Sequence, residues 1–343
     1  MRCLRSMVAV LCGYGVLWGA ATAWAQSPIA ADARLSIAGQ VAFTEGPVWH
    51  PSGNVYFTDI LNNRIMRLDP SGALHVFRQP SGRSNGLEFD AQGRLISCEG
   101  GGAEGNRRVT RTEANGTITV LAERYEGKRL NSPNDVALDS RGRIYFSDPR
   151  YGDTSDTEQL DAEGRLVEGV YRIDEVGKVT RIIAHEVDRP NGLAVSPDDK
   201  YLYVADNVNT GPRAQGGNRK LWRFDLREDG TVDLASRQQI FDWGTDRGPD
   251  GMAIDQQGRL YVAAGFNFPN PPAENAERFK AGVYVITPGG ELLDFIPVPA
   301  DMCTNCAFGG ADLKTLYITA GHLLWSVPTN AVGRVNFTGE ATK

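Results

Sequence analysis

One short pattern recurs six times between residues 45 and 319, and each copy begins with a side chain that carries oxygen. The copies begin at Glu45, Asn85, Asn134, Asn191, Asp250 and Asn305. Internal repeats spaced by tens of residues are the signature of repeat architectures. The pattern therefore constrains the fold of this chain more strongly than any local propensity does.

Each copy is predicted to form a β-hairpin. A short apolar segment such as Val136–Leu138 is followed by a polar turn, Asp139–Gly142, and by a segment rich in β-branched and aromatic residues, Ile144–Phe146. This order is typical of two antiparallel strands, because the turn glycine tolerates positive φ and the aspartate can bond nearby backbone amides.

The starting residues of successive copies are separated by 40 to 59 residues, which suits four strands in each repeat. Six such sheets predict an all-β, six-bladed β-propeller whose inner strands line a central channel. The segment 33–43 is expected to supply a strand that closes the ring with the last blade and hides its open edge.

Residues 1–25 have the pattern of a secretory signal peptide. Two arginines precede a mostly apolar run, residues 7–17, and Ala23–Ala25 matches a cleavage site. The run is short and contains two glycines, which favours cleavage over a membrane anchor. We therefore expect a single propeller domain over residues 26–343, periplasmic or secreted, with no membrane span after signal cleavage.

The charge and the cysteines exclude several kinds of partner. Removal of the two arginines in residues 1–25 takes the formal charge from −6 to −8. An acidic chain is a poor candidate for nucleic-acid binding. Cys98, Cys303 and Cys306 have no histidine cluster beside them that would suggest zinc. Cys98 and Cys306 are interpreted as buried thiols, a Cys303–Cys306 disulfide stays open, and nothing in the sequence specifies an oligomeric state.

The repeated oxygen-bearing residues should converge, because the inner strand of every blade lines the channel. In four copies the second strand ends in a carboxylate, and these are expected to form a second tier at the same opening: Asp59, Glu99, Asp148 and Asp206. Carboxylates crowded in a partly desolvated channel need a cation or raised pKa values. Oxygen ligands favour a hard ion, and Ca²⁺ tolerates irregular geometry better than Mg²⁺.

At several of these positions a structural role is an alternative to metal binding. Asn-Gly and Asp-Gly are common turn pairs, so Asn85 and Asn305 are interpreted as caps of the loops that enter their blades. Asp59 and Asp206 are expected to bond neighbouring backbone amides rather than to take part in chemistry. Asp148 stays open between the two roles, because it stands at the head of an irregular loop.

Five segments, in order and at blade-sized spacing, resemble the SMP-30/gluconolactonase/regucalcin family, and its bacterial gluconolactonase branch most of all. They are Phe43–Trp49, Ser132–Asp135, Tyr145–Gly152, Arg189–Leu193 and Gly248–Met252. The resemblance extends through Thr304–Gly310 and implies a six-bladed propeller with one divalent metal in its channel. That metal is usually calcium, with Mg²⁺, Mn²⁺ or Zn²⁺ as alternatives.

The resemblance also implies roles for particular residues. Glu45, Asn191 and Asp250 correspond to the metal ligands of the family, and Asn134 corresponds to an asparagine near metal and substrate. The usual activity is hydrolysis of sugar lactones such as gluconolactone. Regucalcin-type members carry an arginine where this chain has Ser132, so recognition of a polyhydroxy acid by that arginine is absent here.

A mechanism follows in which the metal polarises the lactone carbonyl and a carboxylate takes a proton from the attacking water. Asp250 is the base that the resemblance implies. Asp148 is its rival, since a carboxylate that ligates metal is a weakened base. Asn134 and Tyr151 are expected to contact the substrate. No serine nucleophile is evident in the sequence, because neither His185 nor His322 belongs to a motif that would pair it with a serine.

Substrate selectivity is expected in three insertions, residues 150–169, 207–220 and 266–281. Phe266 and Phe268 in the third suggest an apolar wall, which would suit an aromatic or alkyl lactone. Two further alternatives are a phosphotriester hydrolase of the same fold and a non-catalytic secreted propeller that binds a protein or glycan.

Overall fold

The computed structural model describes residues 27–211, 213–337 and 339. These residues form a six-bladed β-propeller, as predicted: twenty-four of their strands make six antiparallel sheets of four strands each. The predicted signal segment 1–25 lies outside the described residues, so cleavage and the periplasmic or secreted location remain predictions.

The blades follow one another along the chain, and within each the strands run from the channel outwards. Blade 1 comprises β2 (Thr44–Trp49), β3 (Val55–Asp59), β4 (Arg64–Leu68) and β5 (Leu74–Arg78). Blade 2 comprises β6 (Ser84–Phe89), β7 (Leu95–Glu99), β8 (Arg108–Thr112) and β9 (Ile118–Ala122). The small hairpin β10 (Arg124–Tyr125) and β11 (Lys128–Arg129) precedes blade 3. Blade 3 comprises β12 (Val136–Leu138), β13 (Ile144–Asp148), β14 (Gly169–Glu175) and β15 (Lys178–Ile183).

The remaining three blades complete the ring. Blade 4 comprises β16 (Pro190–Val195), β17 (Tyr201–Asn207), β18 (Arg219–Leu226) and β19 (Val232–Asp242). Blade 5 comprises β20 (Met252–Ile254), β21 (Leu260–Ala264), β22 (Gly282–Ile286) and β23 (Leu292–Pro297). Blade 6 comprises β24 (Cys303–Gly309), β25 (Thr315–Ala320), β26 (Leu323–Pro328) and, as its outermost strand, β1 (Ser36–Gln40).

The ring closes through its first strand, as the sequence predicted. Strand β1 pairs antiparallel with β26, and Ser36 lies opposite Ser326. The segment that leads into blade 1 is joined in this way to the last blade by backbone hydrogen bonds, so β26 is not left as an unpaired edge.

The hairpin turns have the predicted chemistry. Asp139 Oδ1 accepts hydrogen bonds from the amides of Arg141 and Arg143, both at 3.0 Å, and Gly142 has a φ of 78°. The aspartate therefore satisfies the turn amides that no strand partner reaches. The glycine adopts a conformation that other residues rarely do.

The hydrophobic core lies between neighbouring blades rather than in the channel. Leu221 and Tyr203 of blade 4 pack with Leu260 and Val262 of blade 5, and all four are fully buried. Burial of each such side chain contributes roughly 1.5–3 kcal/mol. This packing fixes each inner strand against the next, so residues at the strand starts hold constant positions around the channel.

Other secondary structure is sparse. The described part of the chain contains a single 3₁₀ turn, Ile60–Asn62, and otherwise strands and loops. No helix within residues 27–211, 213–337 and 339 has the length and apolarity needed to cross a bilayer. Cys98, Cys303 and Cys306 are buried free thiols, so the Cys303–Cys306 disulfide is not formed.

A C-terminal segment, residues 332–337, crosses the end of the channel opposite the starts of the inner strands. The amide of Arg334 donates to Ile254 O in blade 5 at 3.0 Å, and its guanidinium donates to Leu138 O in blade 3. The ring of Phe337 lies 5.2 Å from that of His50 in blade 1. The segment therefore ties three blades together at this end.

Candidate active site

A cavity of about 340 Å³ lies at the end of the channel where the inner strands begin. Five of its lining residues were predicted for the site: Glu45, Asn134, Tyr151, Asn191 and Asp250. The remaining lining residues are Phe43, Ile60, Asn85, Asn209, Thr210, Arg247, Asn270, Glu274, Met302 and Thr304. The repeat therefore brings five of its six starting residues together, and the three insertions contribute Tyr151, Asn209 and Asn270 among others.

In four of the six copies a glycine follows the starting residue, and it lets neighbouring inner strands approach closely. The Gly192 amide donates to Asp250 O at 3.0 Å, and a Cβ on Gly192 would lie 2.3 Å from that oxygen. A Cβ on Gly251 would lie 2.0 Å from the side chain of Asn305. Interpreting Asn-Gly and Asp-Gly here as turn pairs was wrong, since the glycines make room for the next blade.

Two carboxylates meet in this cavity with little access to water. Glu45 and Asp250 are both buried. Burial raises the pKa of Glu45 well above its usual value, and the charge of Asp250 raises it further, although the Gly46 amide donates to Glu45 Oε2 at 2.9 Å. Burial also raises the pKa of Asp250, against the opposing effect of Arg247. The pair holds negative charge only if a cation is close.

Arg247 and Glu274 are site residues that the sequence analysis missed. Arg247 Nη2 donates to Asp250 Oδ2 at 2.7 Å, and Nη1 lies 3.4 Å from Glu274 Oε1. The guanidinium lies over the ring of Phe266, 5.1 Å from its centre. The one available signal was the position of Arg247, three residues before a repeat start, where its side chain can reach Asp250.

A chain of contacts runs from Asn191 to the insertions. Asn191 Nδ2 donates to the hydroxyl of Tyr151 at 2.7 Å, and burial raises the pKa of Tyr151. The Arg189 guanidinium lies 5.1 Å from the centre of the Tyr151 ring and donates to Thr210 O at 3.0 Å. One buried arginine therefore holds two loops against a predicted metal ligand.

The expected second tier of carboxylates does not face the cavity. Asp148 Oδ2 accepts from the Asn131 amide at 2.8 Å and Oδ1 from the Ser132 amide at 2.7 Å. Burial raises the pKa of Asp148 to about 7, and the residue is not among those that line the cavity. Its contacts fasten the loop that enters blade 3, a structural role, whereas Asp250 lies in the cavity.

The other three second-strand carboxylates are used in the same way. Asp59 accepts from the Phe43 amide at 3.1 Å, and Asp206 accepts from the Arg189 amide at 3.0 Å, as was expected of both. Glu99 accepts from Arg108 Nε at 2.7 Å. Asp59 and Asp206 close the loops before their own inner strands, whereas Glu99 pairs with an arginine side chain. The oxygens of all three are taken by donors of the chain.

The predicted apolar wall of Phe266 and Phe268 is absent from the cavity. Phe266 is buried beneath Arg247, and Phe268 is 74% exposed. Neither ring lines the cavity. The insertion 266–281 instead presents Asn270 and Glu274, because their side chains pair at 2.9 Å and turn the loop inwards.

The donor set fits a divalent cation. In the described part of the chain no three His, Cys, Asp or Glu side chains cluster as a metal site, so any ion here needs amide oxygens as well. Glu45, Asp250 and Glu274 with the single cation Arg247 leave the ionised cavity lining two charges negative. Carboxylates and asparagine oxygens in a buried, negatively charged cavity are ligands that Ca²⁺ accepts.

Comparison with known proteins agrees with this architecture. The family model described as the SMP-30/gluconolactonase/LRE-like region matches residues 43–322. A gluconolactonase of Zymomonas mobilis is 31% identical over 318 residues, which cover 87% of this chain and 81% of that protein.

Solved structures of similar proteins also agree with this architecture. A gluconolactonase from Xanthomonas campestris is 32% identical, with a TM-score of 0.70 over 88% of this chain and 91% of that one. A calcium-binding protein, regucalcin, from Agrobacterium tumefaciens has a TM-score of 0.66 over 87% of this chain and 94% of its own at 19% identity, a likeness of fold alone. Together with the family match over most of its length, this shows that the chain belongs to the SMP-30/gluconolactonase/LRE-like family.

Proposed function

We propose that this protein hydrolyses a lactone, most favourably a sugar lactone such as gluconolactone. The carrying observation is the meeting of Glu45, Asn191 and Asp250 around one cavity. The relatives from Zymomonas mobilis and Xanthomonas campestris, both named gluconolactonases, support the reaction class.

The cofactor in this proposal is one divalent metal, and calcium is our choice. Glu45, Asn191 and Asp250 would hold it, with Asn134 as a fourth ligand or a substrate contact. The Agrobacterium tumefaciens regucalcin is described as calcium-binding, which supports the choice. When bound, such an ion supplies Lewis-acid polarisation of a carbonyl and compensates the buried carboxylates.

The residues of the chain would act on the water and the ring. Asp250 takes a proton from the attacking water as the water oxygen bonds to the carbonyl carbon of the lactone. The bond between that carbon and the ring oxygen then breaks, the ring oxygen receives the proton, and a hydroxy acid leaves. Arg247 holds Asp250 Oδ2 at 2.7 Å and so keeps the base oriented.

The cavity lining favours a hydroxylated substrate over an apolar one. Amide and hydroxyl side chains from Asn85, Asn209, Asn270 and Thr210 surround the carboxylates. An aryl lactone would leave the buried oxygen of Asn209 without a partner, which is unfavourable. A purely binding propeller would have no need of buried carboxylates around its channel, and the cost of burying them argues against that alternative.

A panel of lactones tests the proposal. The mature protein is assayed with glucono-δ-lactone, γ-lactones and dihydrocoumarin by a pH indicator, after chelation and after addition of Ca²⁺, Mg²⁺, Mn²⁺ or Zn²⁺. We expect turnover of sugar lactones that chelation abolishes and Ca²⁺ restores. Absence of turnover with every metal, in a protein with a cooperative unfolding transition, would refute lactone hydrolysis.

A further inference from the structure

An asparagine outside the predicted site has an amide that the chain leaves unpaired. Asn209 lies in the loop after β17, lines the cavity and is 7% exposed. Its Oδ1 is buried and accepts no hydrogen bond from any described residue. At the end of β17, Asn207 is fully buried, and neither atom of its side-chain amide has a partner in the described part of the chain. A buried amide oxygen without a partner is destabilising. Of these two residues only Asn209 lines the cavity, so its oxygen points to a ligand that completes the bond.

The loop that carries Asn209 is held firmly in place. Arg189 Nη1 donates to Thr210 O at 3.0 Å and to Thr210 Oγ1 at 3.1 Å, and its Nε donates to Glu168 at 2.9 Å. Arg189 and Glu168 are themselves buried. The position of the unpaired Asn209 oxygen is therefore well defined, because the adjacent Thr210 is bonded to Arg189, which forms a buried ion pair with Glu168.

Two other amides in the cavity are already engaged within the chain. Asn191 Nδ2 donates to the Tyr151 hydroxyl at 2.7 Å, and Asn270 Nδ2 donates to Glu274 at 2.9 Å. The amide oxygen of Asn209 has no such internal contact, although the residue is nearly as buried as Asn191. It is thus a buried acceptor in a residue of the cavity wall, and no group of the described chain satisfies it.

We propose that Asn209 is a specificity-determining residue whose amide oxygen accepts a hydrogen bond from a hydroxyl group of the lactone. The inference rests on the proposed lactone hydrolysis and adds the residue that reads the hydroxylated part of the substrate. A lactone without hydroxyl groups leaves the oxygen unpaired, and sites built to bond a hydroxyl discriminate against analogues that lack it.

Two lactones with the same ring size separate this role from a structural one. Glucono-δ-lactone and δ-valerolactone share a six-membered ring, and only the first carries hydroxyl groups. We expect Asn209→Ala to raise KM for gluconolactone roughly three- to tenfold, the effect of one lost neutral hydrogen bond. Its kcat should stay within about twofold of wild type, as should kcat/KM for valerolactone, because a substrate contact far from the reacting atoms affects binding first.

Two further variants complete the design. Asn209→Asp keeps an acceptor oxygen in the same place and should retain the preference for gluconolactone. Asn218→Ala is the matched control: this asparagine follows in the same insertion, and its Nδ2 donates to Asp188 at 2.7 Å instead of meeting the cavity. If one of the two lactones binds without being hydrolysed, its inhibition constant replaces KM in the comparison between wild type and variants.

The outcomes distinguish the two levels of the proposal. The role of Asn209 is supported if Asn209→Ala raises KM for gluconolactone only and its unfolding midpoint is equal to or above that of wild type. The role of Asn209 is refuted if Asn209→Ala lowers kcat/KM equally for both lactones, or if it lowers stability and leaves KM unchanged. Either result leaves lactone hydrolysis intact. Absence of turnover of every lactone by the wild type would refute the proposed function itself.

Discussion

Arg247 donates a hydrogen bond from Nη2 to Oδ2 of Asp250 across 2.7 Å, and both side chains are only 6% exposed. The same guanidinium pairs with Glu274 at 3.4 Å. A permanent cation is therefore built into a cavity that also holds Glu45. It offsets part of the repulsion among the carboxylates and leaves a net negative site for a metal.

Replacement of Arg247 by methionine should be strongly destabilising. It leaves Asp250 and Glu274 buried without their partner, and breaking a buried ion pair costs about 3–5 kcal/mol. Denaturant unfolding measures the change. Arg165→Met is the matched control, since Arg165 pairs with Asp161 at the surface, where an ion pair contributes little to stability. Equal losses in the two variants would contradict the structural importance of the Arg247–Asp250 pair.

Glu45→Gln and Asp250→Ala should each remove metal affinity and activity together. Glu45→Gln preserves shape but deletes a charge, and Asp250→Ala deletes both a ligand and the base. We expect kcat/KM of Asp250→Ala to fall at least about 100-fold. Calorimetric titration of metal-free protein with Ca²⁺ gives the affinity. The exposed Glu163→Gln serves as control, and Ca²⁺ affinity retained in Asp250→Ala would remove Asp250 from the ligand set.

Asp148→Asn should act on stability rather than on chemistry. An asparagine offers one acceptor where the carboxylate serves the amides of Asn131 and Ser132 at 2.8 and 2.7 Å. The backbone amide of Asn131 or Ser132 that loses its acceptor should lower the free energy of unfolding by roughly 1–3 kcal/mol. The variant is assayed below its unfolding temperature with saturating Ca²⁺. A large loss of kcat with full metal binding would restore Asp148 as the general base.

Gly192→Ala should disturb the site without replacing any predicted ligand. The added Cβ would lie 2.3 Å from Asp250 O and 2.7 Å from Gly251 Cα, so backbone must shift. We expect a loss of about 1–3 kcal/mol, as for other overpacked positions, and a lower Ca²⁺ affinity. Gly289→Ala is the control, because the nearest atom to its Cβ is 3.8 Å away. Unchanged stability and affinity in Gly192→Ala would refute the close approach.

Glu88 should make stability depend on pH between mildly acidic and neutral conditions. This partly buried glutamate lines the channel beside Arg334 and Asn336, and burial raises its pKa from 4.5 to about 7. The folded state therefore holds the proton more tightly than the unfolded chain does. The resulting stability is fully present below pH 4.5 and is lost as the pH rises through about 7.

The variant Glu88→Gln cannot titrate and isolates this effect. Unfolding midpoints of wild type and variant are compared from pH 5 to pH 8, a range chosen to bracket the pKa of about 7. The wild type should lose stability relative to the variant across that range. Parallel pH profiles of the two proteins would show that Glu88 does not titrate as its surroundings imply.

The sequence by itself determined the six blades, their hairpins and the convergence of Glu45, Asn191 and Asp250. This was possible because a repeat dictates equivalent positions, and equivalent positions on inner strands must meet at the channel. The strand that closes the ring was predictable for the same reason, since a circular sheet array needs its first and last edges joined. Asp139 and Gly142 show that turn chemistry too is local enough to be read directly.

Tertiary structure alone decided which polar groups form hydrogen bonds within the chain and which remain for a ligand. Asp148 and Asp250 look alike in sequence, yet the first binds two amides of its own loop and the second faces Arg247 in the cavity. Arg247 and Asn209 lie outside the six repeat copies, so the repeat does not give the direction of their side chains. The physical reason is that hydrogen bonding in a buried site depends on distances between residues remote along the chain, which no local pattern encodes.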